Sequence, residues 1–209
     1  MERTKSVKKV NKGTTIVEMT VTFALLAIFM TSAAMIITSV TNLYYQVKGE
    51  TFANQVTDII MEKAESEIDG AKYYPIGTDD GIELGLTSEG ASYIDVYNKT
   101  DTHIRMYSED GELLIYYYPI INTVDTSKSR NETVWRFDKK AYDGFEIEEL
   151  YFVRGNEIGT VRSKANEYGI PDSCQFDSNI IIVFLKLDSP KYGTYKTYKA
   201  IKMMNIPAS

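Results

Sequence analysis

Lys12-Gly13-Thr14-Thr15-Ile16-Val17-Glu18 is followed, from Met19 to Val40, by a run without a single charged side chain. At 1.5 Å per residue those roughly 22 residues form a helix about as long as the 30 Å hydrocarbon core of a bilayer is thick. The run therefore reads as a membrane span. A secretory signal would have a shorter apolar stretch, about 7–15 residues, closed by a small-residue cleavage site. Here no Ala-x-Ala site follows the run, and the glycine junction lies in front of it. The odd letter is Glu18, a carboxylate at the front edge of the apolar helix. Charge in such a segment costs about 2.5–3.5 kcal/mol at the helix centre and less near an end, so Glu18 calls for a partner.

Upstream of the junction, Arg3, Lys5, Lys8, Lys9 and Lys12 stand against Glu2, so residues 1–13 carry +4 and the total of −6 leaves −10 for the rest. Positive residues stay on the cytoplasmic side of a span. The expected organisation is a basic cytoplasmic leader (1–13), an N-terminal helix (14–69) and an extracytoplasmic domain (70–209). Within the helix the span covers about 19–40 and an amphipathic stalk about 41–69. An acidic exterior domain is a poor nucleic-acid binder. The one cysteine, Cys174, cannot form an internal disulfide.

These residues resemble the junction of the type IV pilin and pseudopilin family: a glycine, an aromatic, Thr, an aliphatic pair and Glu, behind a basic leader and ahead of an apolar helix. The resemblance implies that a membrane prepilin peptidase cuts after Gly13 and leaves Thr14 as a methylated N-terminus. It implies that Glu18 meets the Thr14 amine of a neighbouring subunit, and that other subunits, an assembly platform and its ATPase are the partners. Two letters depart from the family pattern. Thr14 stands where Phe is usual, and Met35 lies in a helix without the proline common in major pilins. The second departure points to an unbroken helix and to a minor pilin or pseudopilin, and a single cysteine is compatible with a Gram-positive-type bacterial source. The resemblance implies a structural subunit of a pilus, a type II secretion-like or a competence filament. The rival readings are a Tad-type pseudopilin and a single-pass anchored surface domain for adhesion or sensing.

Beyond the span the pattern turns amphipathic. Leu43, Val47, Phe52, Val56, Ile59, Ile60, Ala64 and Ile68 recur at three- and four-residue steps, which predicts a helix laying one face on a domain. Gly49 is a soft point in it, and Gly70 with Pro75 ends it.

From Asp79 onward, β-branched and aromatic runs predict strands over 92–97, 103–107, 113–118, 133–137, 145–153, 179–187 and 195–204. Asp110-Gly111 is a two-residue hairpin signal. The unbroken apolar run Ile180 to Leu185 predicts a central strand buried on both faces. Residues 122–131 read as an exposed loop, and 154–176 shows little pattern beyond a short helix near Val161 to Tyr168. The fold class is α+β, a long helix on an antiparallel sheet.

Catalytic chemistry finds little support. His103, the single histidine, lies in an alternating strand with no nucleophile beside it. Cys174 is surrounded by acid, which disfavours a thiolate. Acidic pairs such as Asp95 with Asp101 show no calcium-loop spacing. The expectation is a non-enzymatic protein without metal or cofactor.

Overall fold

The uncharged run and the amphipathic run form one continuous helix in the computed structural model, α1 (Ile16–Asp69). The structure describes residues 15–71, 82–98, 102–118 and 133–204, so the predicted loop 122–131 lies outside the described residues. The chain forms two compact units, Met1–Gln46 and Val47–Ser209, and α1 contributes to both.

In the first unit the helix is long and apolar enough to cross a membrane, and none of its most apolar window is buried within the chain. The core helix of a soluble protein would be mostly buried. Its hydroxyls are also dealt with locally. Thr20, Thr22, Thr31, Ser32, Thr38 and Ser39 each donate to the carbonyl four residues back, at 2.7–3.0 Å. Lipid would therefore meet these six side chains with their donors already satisfied.

In the second unit α1 buries Gly49, Ala53, Val56, Ile60, Met61, Ala64 and Ile68. The three- and four-residue spacing holds, but the stripe is rotated towards small residues, and Ile59 and Val47 are exposed. The reason is close approach. A Cβ on Gly49 would lie 2.7 Å from Cβ of Tyr192, so Gly49 is a packing contact and not the soft point its helix propensity suggested. Gly49→Ala gains about 1 kcal/mol of helix propensity but overpacks this contact, which typically costs 1–3 kcal/mol. The expected result is a lower urea midpoint for the full chain; a higher midpoint would contradict the contact.

Eight strands follow: β1 (Glu83–Leu86), β2 (Ser92–Tyr97), β3 (His103–Glu109), β4 (Glu112–Tyr118), β5 (Thr133–Arg136), β6 (Glu146–Arg154), β7 (Ile180–Asp188) and β8 (Tyr195–Lys202). They pair antiparallel, but in two sheets and not one, a five-stranded meander β1-β2-β3-β4-β5 and a three-stranded β6-β7-β8. Asp110 and Gly111 both take positive φ, 52° and 78°, as the tight β3–β4 turn requires. Ile94, Val96, Ile104, Met106, Leu113 and Ile115 from one face of the larger sheet join the α1 stripe and Ile181, Val183, Leu185 and Leu187 of β7 in one core.

The other face of β7 has its own cover. Ile182 and Phe184 are buried under Ile158, Ala165, Tyr168 and Ile170, supplied by the 3₁₀ turn Gly155–Val161, the short helix α2 (Arg162–Glu167) and the chain after it. The patternless stretch is thus the lid that the doubly buried strand demands.

Candidate functional site

The helix start at Thr15 is built by a capping box. Thr15 N–H donates to Glu18 Oε2 at 2.8 Å, Thr15 Oγ1 donates to the same oxygen at 3.2 Å, and Glu18 N–H donates to Thr15 Oγ1 at 3.2 Å. Met19 N–H to Thr15 C=O, 3.1 Å, is the first helical bond. The carboxylate thus satisfies an orphan donor at the positive end of the helix dipole. The structure gives Glu18 a local hydrogen-bonding partner of no charge, Thr15, and the signal for it is the pattern Thr15-x-x-Glu18 itself. Oε1 of Glu18 accepts no hydrogen bond among the described residues, so the carboxylate keeps acceptor capacity for a second group. Of the other residues singled out in the sequence, Gly13, Thr14 and the leader cations Arg3, Lys5, Lys8, Lys9 and Lys12 lie outside the described residues.

A second constellation, which the sequence showed only as scattered tyrosines, occupies the outward face of the five-stranded sheet. Register places Tyr93, Asp95 and Tyr97 of β2 opposite Tyr107, Arg105 and His103 of β3, and Arg105 and His103 opposite Tyr116 and Tyr118 of β4. Arg105 grips Asp95 with two bonds, Nε to Oδ1 at 2.7 Å and Nη2 to Oδ2 at 2.5 Å. His103 Nε2 is 3.3 Å from Asp95 Oδ2, and its ring is stacked between Tyr97 and Tyr118 at 5.1 Å each. Tyr116 continues the stack to Tyr107, and the Arg105 guanidinium lies 4.5 Å from the Tyr93 ring centre. With its ring stacked and one nitrogen against a buried carboxylate, His103 serves to hold strands together; a nucleophile for it to activate is not among these neighbours.

Burial alone would raise the Asp95 carboxyl, but the hydrogen bonds and charge of Arg105 and His103 outweigh it and hold the group below its ordinary range. A carboxyl depressed in the folded state stabilises fully above its unfolded value, about 3.9, and loses that contribution as pH falls through the folded value. The expected result is that Asp95→Asn lowers the urea midpoint at pH 7 and that the gap to the unmodified chain narrows below about pH 4. A gap that stays constant across that window would show that Asp95 acts only by shape.

A cleft of about 400 Å³ opens between the β1–β2 turn, the β3–β4 tip and the edge of β6. Glu89, Glu109, Asp110, Glu148 and Glu149 line it, and no cation does. Glu149 accepts from Lys164 and, at 2.9 Å, from Tyr168 Oη, while Glu148 accepts from Lys186 at 2.6 Å. Among the described residues no cluster of His, Cys, Asp and Glu is placed to hold a metal ion. Cys174 is half-buried against the lid cluster.

No protein-family model matches the chain, and no curated protein matches it.

Proposed function

We propose that the chain is a filament subunit of the type IV pilin class, a minor pilin or pseudopilin, trimmed after Gly13 and assembled through α1. The observation that carries this reading is a helix with no charge from Met19 to Val40 and none of its most apolar window buried, opened by one carboxylate five residues beyond a Gly–Thr junction. A helix so apolar needs lipid before assembly and other helices after it.

In this reading the leader stays cytoplasmic, the strand domain sits outside, and Glu18 keeps its cap through Oε2 while Oε1 receives the Thr14 ammonium of the adjacent subunit. A charge in an apolar filament core is tolerable only when paired in this way. The domain would coat the filament, and its covered β7 would make it a stiff unit to carry there.

The test is shearing of cells that express the chain with its neighbouring assembly genes. The chain is expected in the released fibre fraction. Retention of all of it in the membrane would favour the anchored surface domain instead.

A further inference from the structure

The two edges of the three-stranded sheet carry opposite charge, and we propose that they meet between neighbouring copies: the β6 cleft of one copy receives the β8 edge of the next. The inference rests on the filament reading and names the contact its domains would make.

β6 and β8 are the two edge strands of that sheet, and an edge strand presents backbone donors and acceptors to whatever extended chain approaches. The outward edge of β6 is tied by Ile147 N–H to Gly111 C=O at 2.9 Å and by Phe152 N–H to Ser92 Oγ at 3.2 Å. Between those points β6 floors the acidic cleft. Glu148 and Glu149 have cations from within the chain, while Glu109, Asp110 and Glu89 stand on the exposed rim. β8 is the counterpart: Tyr195–Lys202 contains Lys196, Lys199 and Lys202 and no acid; Glu167 holds Lys196 and Glu65 holds Lys199, so Lys202 is the lysine of this strand left to face the rim.

Charge also selects the geometry. Pairing β8 with β8 brings together two strands that hold lysines and no acid, and pairing β6 with β6 brings together the two acidic rims of Glu89, Glu109 and Asp110. Only β6 against β8 is complementary, in a chain whose net charge otherwise drives copies apart. That contact joins unlike surfaces, so each copy keeps one edge of either kind free and the assembly grows open-ended, as a filament needs.

Two differently tagged full-length copies, both carrying Cys174→Ser, test it by oxidative crosslinking in cells. Glu109→Cys in one and Lys196→Cys in the other are expected to give a mixed disulfide, and Glu157→Cys with Lys196→Cys, equally exposed, none. Adding Lys202→Glu to the second copy should lower the yield, and adding Asp110→Lys to the first should restore it. Equal yields from both pairs, or no crosslink in cells whose sheared fibres contain the chain, would overturn the contact and leave the filament reading standing. A specific, rescuable crosslink in cells whose chain keeps its leader and forms no fibres would uphold the contact and remove the filament reading.

Discussion

Phe184→Ala is expected to destabilise the second unit by about 3–5 kcal/mol, the usual cost of emptying a buried aromatic site. Phe184 is fully buried on the lid side of β7, with the Tyr168 ring edge-on at 5.0 Å and Tyr151 at 6.4 Å. Total stabilities of small domains are about 5–15 kcal/mol, so the loss approaches the whole margin. Urea titration of the detergent-solubilised full chain measures it, and Phe184→Leu, which keeps most of the volume, should lose less than about 1.5 kcal/mol. Equal losses for the two variants would mean that the lid is not packed as described.

Glu18→Gln is expected to be trimmed normally and to be lost from fibres, and Glu18→Ala likewise. The pair separates two jobs. A glutamine at the third helical position still completes a capping box with Thr15, so Glu18→Gln keeps the helix start and removes only the charge. Glu18→Ala removes both, with a capping cost of about 0.5–2 kcal/mol. If the carboxylate serves only the cap, Glu18→Gln enters fibres as the unmodified chain does. If it holds a neighbour's ammonium, both variants stay in the membrane. Quantifying each variant in sheared and membrane fractions decides between them.

Most strands were legible from β-branched and aromatic runs, and Ser92–Tyr97 matches its predicted limits. β1 was not. Glu83-Leu84-Gly85-Leu86 is short and holds a glycine; it is a strand through its pairing with β2, and the Tyr93 ring covers the glycine, its Oη 2.5 Å from where a Cβ on Gly85 would sit. That contact is between strands and has no local signature. The lid over β7 was illegible for a related reason: a 3₁₀ turn and a helix of six residues bury Ile158, Ala165 and Tyr168 without a sustained period. The demand for it was readable, since Ile180 to Leu185 left no polar face to meet water. At the helix start, Glu18 was visible by its charge, while its local partner lay in the pattern Thr15-x-x-Glu18, which an argument from charge passes over. The stacked outer face depends on pairing register across β2, β3 and β4, which tyrosine content alone does not determine.

A filament subunit of this class would begin at Thr14, behind a leader of residues 1–13. The intact mass of the chain co-expressed with a prepilin peptidase, alongside Gly13→Val, measures this directly. A chain shortened by its first 13 residues and an uncut Gly13→Val variant are expected. A mass that still includes Met1 to Gly13 in the presence of an active peptidase would contradict it.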